Sequence, residues 1–319
     1  MNVCKVCDNA NRNKVHLARE IMLGYGDVFE YLECLACGCV QIKEVPNDLS
    51  RYYPANYYSF EKQQYSWLGR YLRSQRTAYK LYGTNLIGMW MSKIAGDYSP
   101  LSYKKGWFSR AGISQKSAIL DVGCGSGKLL RRLAQLGFTN LTGVDPFVKE
   151  DIQLSNIIIH KKELSDLQCR FDFVMLHHSF EHMADPVNVL KTIKQILNPE
   201  SYALIRIPVA SYAWRKYGVN WVQLDAPRHL YLHTVNSMQV MAKRAGLKIV
   251  DIVFDSTNYQ FLGSEENIKK QLRKTDNRDA LKANIQPFNK RQIREFQRKA
   301  DDLNVRGEGD QACFYLQNA

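Results

Sequence analysis

Two pairs of closely spaced cysteines lie near the start of the sequence. Cys4 and Cys7 form one Cys-x-x-Cys pair, and Cys34 and Cys37 form a second pair after 26 intervening residues. Four thiolates arranged in this way are typical ligands of a tetrahedral zinc ion, and they leave no coordination position open for water. The alternative is a set of free or redox-active thiols, but a redox-active pair lies beside a βαβ unit and needs no second pair. The spacing therefore predicts a structural zinc site in a module too small to bury a core of its own.

A glycine-rich segment lies further along the chain, between an apolar run and an amphipathic one. Ile119–Gly127 has the sequence ILDVGCGSG, in which Asp121 precedes three glycines at every second position. The glycines are Gly123, Gly125 and Gly127. Positions without a side chain let a ligand lie against the free N–H groups of a helix N-terminus, although a tight strand-to-helix turn needs glycine as well. Lys128 stands where a dinucleotide-binding fingerprint has its third glycine, which argues against a nicotinamide cofactor.

Further polar positions follow apolar runs of strand length. The run LTGVD ends at Asp145, where a carboxylate can accept two hydrogen bonds from a ribose diol. His177 and His178 lie within FDFVMLHHSFEHMADP, and His229 lies within LDAPRHLYLHT, which follows the run LIRIP. A histidine in a loop that leaves the carboxyl end of an open sheet can move a proton of a bound molecule. The alternative for His229 is a packed ring that donates to a backbone carbonyl.

The elements that position these residues follow from hydrophobic periodicity. From Ser117 onward, short β-branched runs alternate with helical ones, which predicts an α/β fold with a doubly wound, mostly parallel sheet. Strands are predicted at 118–123, 140–145, 157–160, 171–177, 201–208 and 247–254. Helices are predicted at Leu129–Leu136 and from Asp185-Pro186 onward, and Ala312–Leu316 is predicted to return as an edge strand. The predicted domains are a zinc module at 1–60, a basic helical connector at 61–115 and the α/β domain at 116–319, with a helical insertion at about 256–310.

The glycine segment, Asp145 and the histidine-containing run together resemble the motifs of class I S-adenosylmethionine-dependent methyltransferases, whose domain is Rossmann-like. The resemblance implies S-adenosylmethionine as the cofactor, with the glycines beside its methionine part and Asp145 on its ribose. It also implies that His177 and His178 lie beside the sulfonium. The implied cofactor-binding residues are Asp121, Gly123, Gly125, Gly127, Asp145 and His177.

A second resemblance covers the cysteine-rich segment. The run YLECLACGCVQIKEVPNDLSRYYPANYYSF is similar to the N-terminal zinc-binding module of deoxysugar C-methyltransferases, and the chain also looks like compact methyltransferases of surface-polysaccharide synthesis. The resemblance implies a sugar-like acceptor linked to a nucleotide or a lipid, methylated on oxygen or carbon. It implies that His229 is the base and that Tyr58 and His178 assist at the acceptor. Arg228 departs from the pattern, because those enzymes have a glutamate there.

The composition limits the class of protein and the kind of partner. Hydrophobic residues make up 45% and charged residues 24%, and the net charge is +13. These values exclude a fibrous or wholly disordered chain and favour partners that carry phosphate. An RNA-binding zinc ribbon or an RNA methyltransferase is therefore the alternative function, although no signature of an RNA-binding module is present.

The sequence also carries signals for location. A basic and aromatic stripe at 67–82 predicts contact with a membrane surface, and its alternatives are a solvated connector helix or a site for the phosphates of a nucleotide or RNA. Because the sequence contains no signal-peptide pattern and no apolar run of spanning length, we expect a cytoplasmic protein, peripheral to the inner face of the membrane. The oligomeric state is not predicted.

Overall fold

The structure is a computed structural model of the 319-residue chain. It describes residues 2–53, 86–95, 107–108, 110–274 and 288–319, together with seven single positions between residues 68 and 79. Tyr58 lies outside the described residues, as do most positions of the predicted basic stripe. Among the described residues, no helix is long and apolar enough to cross a membrane.

The strands are numbered here in chain order. They are β1 Lys14–Arg19, β2 Val28–Glu33, β3 Val40–Ile42, β4 Ile119–Val122, β5 Leu141–Val144, β6 Ile152–Leu154, β7 Ile157–His160, β8 Phe171–His177, β9 Leu197–Pro208, β10 Tyr231–Leu232, β11 Leu247–Phe254 and β12 Gln311–Asn318. All six strands predicted in the α/β region form within a few residues of their expected bounds. β9 starts earlier than predicted.

The described helices are likewise numbered in chain order. They are α1 Leu86–Ala95, α2 Lys128–Gln135, α3 Pro186–Ile196, α4 Tyr212–Tyr217, α5 Val235–Ala245, α6 Tyr259–Lys274 and α7 Lys290–Val305. Single 3-10 turns lie at Leu49–Tyr52, Leu164–Asp166, Phe180–His182 and Gly218–Asn220. The helical patterning expected near the C-terminus corresponds to α6 and α7.

The larger sheet confirms the predicted fold class. Its eight strands have the order β11-β12-β9-β8-β4-β5-β7-β6. β4 is parallel to both β5 and β8, β5 is parallel to β7, and only the short β6 pairs antiparallel within this group. The order reverses direction around β4, which gives the doubly wound arrangement of a Rossmann-like methyltransferase domain.

The position of the last strand corrects one expectation. Ala312–Leu316 was expected at the edge of the sheet, but β12 lies between β11 and β9, and β11 forms the edge. Six of the eight residues of β12 are buried, which is typical of an interior strand with apolar residues on both faces. Strand order depends on long-range pairing, so the local pattern could not supply it.

A smaller sheet has the order β1-β2-β3-β10. Its first three strands come from the cysteine-rich segment, and β10 comes from the loop region that follows β9. β10 pairs antiparallel with β3, with Tyr231 opposite Gln41 and Leu232 opposite Val40. The cysteine-rich segment is therefore joined by backbone hydrogen bonds to the part of the chain that contains His229.

The chain divides into two compact units. The first comprises Met1–Pro54, His178–Leu190 and Arg206–Phe314, and the second comprises Ala55–His177, Lys191–Ile205 and Tyr315–Ala319. The core of the second unit includes Leu120 and Phe173 on the parallel strands and Leu133 on α2, all of which are buried. The sequence predicts three domains, at 1–60, 61–115 and 116–319. The division into two units does not test whether these segments fold independently, so the three domains stay a prediction.

Candidate functional site

The glycine loop of the second unit connects β4 to α2. Gly123, Gly125 and Gly127 all have positive φ angles, of 72°, 53° and 71°. Residues with a Cβ rarely adopt this conformation, so the loop depends on glycine at each position. Gly127 is also the N-cap of α2, and a Cβ there would lie 2.4 Å from Cδ1 of Ile159. The loop therefore keeps the space at a helix N-terminus free of side chains, which a ligand that lies against the backbone requires.

Two buried carboxylates lie at this loop. Asp145, at the end of β5, accepts a 2.8 Å hydrogen bond from the N–H of Gly125 and a 2.9 Å hydrogen bond from the N–H of Phe147. Asp121, at 4% exposure, is slightly more deeply buried than Asp145, which is 6% exposed. Burial, and to a lesser degree the charge of Asp145, raises the pKa of Asp121 to about 8. A cation beside Asp121 would favour its ionised form, and S-adenosylmethionine carries both an ammonium and a sulfonium, so these residues fit that cofactor.

His177 packs within the second unit, at the end of β8. Its ring lies against Trp107, with 3.8 Å between the ring centroids and 35° between the ring planes. Trp107 is buried, and its backbone carbonyl accepts a 3.2 Å hydrogen bond from the hydroxyl of Tyr315. The structure thus gives His177 an aromatic packing partner, and its predicted contact with the cofactor stays a prediction.

The four cysteines of the predicted zinc site converge in the first unit. The sulfur atoms of Cys4 and Cys37 are 3.7 Å apart, those of Cys7 and Cys34 are 3.5 Å apart, and all four lie within 4.8 Å of one another. A tetrahedron with zinc–sulfur bonds of about 2.3 Å places its sulfur atoms about 3.8 Å apart. The cysteines are not joined by disulfides. The arrangement therefore fits a four-thiolate zinc site.

Backbone donors support this cluster. The N–H of Val6 donates to Sγ of Cys4 at 3.4 Å, and the N–H of Cys37 donates to Sγ of Cys34 at 3.5 Å. Such bonds stabilise negative charge on sulfur, which a metal-bound thiolate carries. Gly38, directly after the second pair, has a φ angle of 74°, a conformation that suits the tight turn there.

Further hydrogen bonds tie the cysteine module to the segment around His229. The hydroxyl of Tyr31 donates to the carbonyl of His229 at 2.8 Å, and the hydroxyl of Thr234 donates to the carbonyl of Cys37 at 2.5 Å. A guanidinium nitrogen of Arg244 donates to the carbonyl of Val6 at 2.6 Å. The carbonyl of His229 and the segment that follows it are thus held by the module.

His229 has a defined ring orientation. Its Nδ1 lies 2.7 Å from the carbonyl oxygen of Gln223, which can only accept a hydrogen bond, so Nδ1 carries a proton. Nε2 is then the nitrogen that can take up a proton. It lies 3.9 Å from a carboxylate oxygen of Glu181 and 3.8 Å from one of Asp225, and the residue is 7% exposed. The packed and the functional interpretation of His229 are therefore compatible, because the carbonyl contact uses only one nitrogen.

Arg228, the departure from the resembled pattern, has a structural contact set. Its side chain is fully buried, and it forms a two-pronged ion pair with the carboxylate of Asp225, with Nε 3.0 Å from Oδ2 and Nη2 on Oδ1. Its Nη1 also donates to the carbonyl of Tyr52 at 3.2 Å. This pair, outweighing the effect of burial, lowers the pKa of Asp225. Arg228 therefore neutralises Asp225 and does not stand in for a glutamate beside His229.

His178 belongs to the first unit, as His229 does. Its Nε2 lies 2.6 Å from Nη1 of Arg206, and its Nδ1 lies 3.3 Å from a carboxylate oxygen of Glu181. His178 has a φ angle of 52°, an unfavourable conformation for a residue with a side chain. Strain of this kind is found at functional sites that the surrounding structure holds in place.

Several residues of this cluster are not among the predicted site residues. Glu181 and His182 are two of them, and together with His229 they place three potential metal-ligand atoms within 4.8 Å of one another. Arg206 carries a signal that sequence reasoning could have used, because it is a charged residue within the apolar run of a central strand. Asp225 has no such signal.

Comparison with known proteins agrees with this geometry. Residues 103–252 match a family model described as a methyltransferase domain. The ubiquinone biosynthesis O-methyltransferase of Pseudomonas aeruginosa strain UCBPP-PA14 is 28% identical over 178 residues, which cover 49% of this chain and 75% of that protein. The human EEF1A lysine methyltransferase 2 is 39% identical over 71 residues, which cover 22% of this chain and 30% of that protein.

The chain spans less than a third of the length of the human EEF1A lysine methyltransferase 2. Among solved structures, the cyclopropane synthase MmaA2 from Mycobacterium tuberculosis has a TM-score of 0.41 and 12% identity, with 77% of this chain and 93% of that chain covered. The matched residues 103–252 contain the glycine loop, Asp121 and Asp145. With that match, residues 103–252 of the chain are shown to carry a methyltransferase domain.

Proposed function

We propose that the enzyme transfers the methyl group of S-adenosylmethionine to a sugar-like small molecule that is linked to a nucleotide or a lipid. When bound, the cofactor supplies an electrophilic methyl group on a sulfonium, so the protein mainly aligns the acceptor and removes its proton. The residues proposed for the cofactor are Asp121, Gly123, Gly125, Gly127, Asp145 and His177.

The observation that carries the proposal is the orientation of His229. Its Nδ1–H is held by the carbonyl of Gln223 at 2.7 Å, which leaves the Nε2 lone pair for a proton of the acceptor. Imidazole suits this role at neutral pH, and its loop follows the carboxyl end of β9, where open α/β sheets bind their substrates. We therefore propose His229 as the base, with His178 and Tyr58 assisting.

Two observations support the acceptor class. The bacterial relatives are named as O-methyltransferases of ubiquinone biosynthesis, which favours a small molecule and an oxygen acceptor. The net charge of +13 favours a molecule that carries phosphate, as nucleotide-linked and lipid-linked sugars do. The cysteine module resembles that of deoxysugar methyltransferases, and this resemblance is the reason for proposing a sugar-like acceptor.

The test is an acceptor panel with methyl-labelled S-adenosylmethionine. The panel contains UDP- and dTDP-hexoses, polyprenyl-phosphate-linked sugars, a polyprenyl phenol and transfer RNA. Label in a sugar fraction supports the proposal. Label in the phenol would show that the acceptor is an aromatic alcohol and not a sugar, and label in RNA would favour the alternative function. With the acceptor found, His229→Gln is expected to lower kcat by about 10²- to 10⁴-fold while leaving the affinity for S-adenosylmethionine unchanged. Near-full activity of this variant would exclude His229 as the base.

We also propose that Cys4, Cys7, Cys34 and Cys37 bind one structural zinc ion. The sulfur separations of 3.5 and 3.7 Å and the two backbone N–H bonds to sulfur support this ion. Four thiolates close the coordination shell, so the ion stabilises the module and takes no part in the chemistry.

A third proposal concerns the membrane surface. Three apolar side chains of α1 are strongly exposed, with Leu86 at 77%, Ile87 at 47% and Trp90 at 68%. Leu68 and Tyr71, at described positions of the basic stripe, are 49% and 46% exposed. Exposed aromatic and aliphatic residues next to basic ones are typical of a helix that rests on an anionic membrane. We propose this contact for an acceptor that is lipid-linked.

A further inference from the structure

Glu181 is a buried carboxylate that lacks a hydrogen bond. The residue is 0% exposed, and neither carboxylate oxygen has a hydrogen-bond partner among the described residues. An ionised carboxylate in this state is costly, and native structures rarely keep one without a reason. The basic side-chain nitrogens that approach it are Nδ1 of His178 at 3.3 Å and Nε2 of His229 at 3.9 Å.

A chain of contacts fixes the protonation of His178. Nε of Arg206 donates to a carboxylate oxygen of Asp255 at 2.7 Å, and Nη1 of Arg206 lies 2.6 Å from Nε2 of His178. A guanidinium can only donate, so Nε2 of His178 must accept. In the neutral ring the proton is then on Nδ1, which faces Glu181. The 3.3 Å approach is an electrostatic contact rather than a well-aligned hydrogen bond.

This contact keeps Glu181 ionised. Burial alone would raise the pKa of Glu181, but the contact with His178 and the neighbouring rings of His229 and His182 outweigh it and bring the pKa to about 2. Burial, followed by the effect of His229, lowers the pKa of His182, so this neighbour favours its neutral form. Glu181 therefore presents a full negative charge to the ring of His229 at neutral pH.

The other charges around His229 are already balanced. Asp225 lies 3.8 Å from Nε2, but its carboxylate is paired with the buried guanidinium of Arg228. The ring of His182 packs edge-on against His229, with 4.8 Å between the centroids. Glu181 is thus the one acidic group facing His229, among the described residues, whose charge no hydrogen bond offsets.

We propose that Glu181 is a positioning residue for His229, held by the series Asp255, Arg206 and His178. The inference rests on the proposed function, in which the acceptor hydroxyl passes its proton to Nε2 of His229. The acceptor oxygen forms its bond to the methyl carbon as the carbon–sulfur bond breaks, which leaves S-adenosylhomocysteine and a positively charged His229. Glu181 stabilises that charge and stays ionised, and His229 releases the proton to water afterwards.

The main variant is Glu181→Gln, which keeps the size of the side chain and removes the charge. We expect kcat to fall about 10- to 100-fold with an unchanged KM for S-adenosylmethionine. Because His229 loses a group that stabilises its protonated form, the acidic limb of the pH profile of kcat/KM moves to lower pH. Glu181→Asp should restore part of the activity and of the profile. Glu295→Gln, on the exposed face of α7, is the matched control and should change neither.

A second measurement needs no acceptor. It tests the inference even if Glu181→Gln misfolds or the acceptor stays unidentified. In ¹⁵N-histidine-labelled wild type, the rings of His229 and His178 should both be protonated on Nδ1 only, and the signals of the His178 ring should vanish in His178→Gln. In Arg206→Gln the same ring should shift toward a mixture of tautomers, whereas Arg206→Lys should preserve it.

Four outcomes would overturn the inference. One is a Glu181→Gln enzyme with reduced kcat but the pH profile of wild type, which would indicate a purely structural role. Another is a His178 ring protonated on Nε2. The third is a second metal ion per chain that Glu181→Gln removes, since Glu181, His182 and His229 would then be ligands. If His229→Gln keeps its activity, the proposed base is wrong, whereas an inactive His229→Gln with a normal Glu181→Gln overturns only the role of Glu181.

Discussion

Single residues at the proposed cofactor site depend on backbone conformation as much as on charge. The three loop glycines have positive φ angles, and the N–H of Gly125 donates directly to the carboxylate of Asp145. A side chain at Gly125 would therefore disturb both the loop and the carboxylate that is proposed to hold the ribose. Charge and backbone shape are coupled at this one position.

The first prediction concerns that position. Gly125→Val should weaken S-adenosylmethionine binding at least 100-fold, because a β-branched residue is strained at a φ angle of 53° and fills the space next to the cofactor. Isothermal titration calorimetry measures the affinity. Gly112→Val is the matched control, since Gly112 has a φ angle of 59° and open space around its missing side chain. Equal affinities of Gly125→Val and wild type would place the cofactor elsewhere.

The second prediction concerns the buried Asp121. Its pKa of about 8 in the folded protein lies above its ordinary value of 3.8, so between these pH values the folded state binds a proton that the unfolded chain has released. Stability must then fall as the pH rises through this range. Asp121→Asn carries no such group and should gain in Tm over wild type as the pH rises from 5 to 8, without cofactor. We expect a gain of about 2–4 °C or more, which corresponds to roughly 1 kcal/mol for a domain of this size.

Differential scanning calorimetry at several pH values measures this gain. Asp301→Asn, at an exposed position of α7, serves as the control and should follow wild type at every pH. A Tm difference between Asp121→Asn and wild type that does not change with pH would show that Asp121 is ionised in the folded protein.

The sequence allowed the residues with strong local signals to be predicted. The cysteine spacing predicted a cluster of four sulfur atoms, which the structure contains. The glycine spacing predicted a loop, and in the structure all three of its glycines have positive φ angles. The role of Glu181 could not be predicted, because it depends on Arg206 and Asp255, which lie 25 and 74 residues away in the sequence. A tautomer fixed by a distant guanidinium leaves no local pattern.

At the scale of elements, the cysteine module acts as a support for the loop of His229. β3 and β10 share a sheet, and the hydroxyl of Tyr31 holds the carbonyl of His229. The module is small and rich in turns, so its rigidity depends on the proposed metal ion. The position of His229 should therefore depend on an ion that never touches the acceptor.

The third prediction follows from this dependence. Cys34→Ser should remove one zinc ion per chain and lower kcat about tenfold or more, while the affinity for S-adenosylmethionine stays that of wild type. Metal analysis by inductively coupled plasma mass spectrometry and calorimetric titration of the cofactor give the two readouts. Cys169→Ser is the control, because Cys169 is exposed and lies outside the cluster. Freshly purified wild type without zinc would refute the proposed metal site.

Element existence and element pairing differ in how well they could be predicted. Alternating β-branched runs located the parallel strands, because a strand buried on both faces has a strong composition signal. The pairing of β10 with β3 joins residues 190 and 192 positions apart through a strand of only two residues, Tyr231 and Leu232. So short a strand has no periodicity to detect, and therefore the support of the acceptor loop by the cysteine module appears only in the structure.

At the scale of the whole molecule, charge and exposed apolar surface point toward the same partner. A net charge of +13 attracts any anionic surface, and salt weakens this attraction by screening the charges. Gly88 allows α1 to pack closely against the backbone at Gln75, since a Cβ at Gly88 would lie 2.2 Å from the carbonyl oxygen of Gln75. The apolar side chains of the opposite face of α1 are then left exposed. A lipid surface satisfies both features, whereas RNA satisfies only the charge.

The last prediction tests this choice. Wild type should sediment with vesicles that contain phosphatidylglycerol and bind vesicles of pure phosphatidylcholine more weakly, with the difference shrinking at high salt. Trp90→Ser should weaken binding to the anionic vesicles roughly tenfold, because burial of a large apolar side chain contributes about 1.5–3 kcal/mol. Val305→Ser removes an apolar residue that is 89% exposed at the end of α7, and it should bind as wild type does. If Trp90→Ser also binds as wild type does, α1 does not enter the membrane, and any attraction to vesicles comes from charge alone.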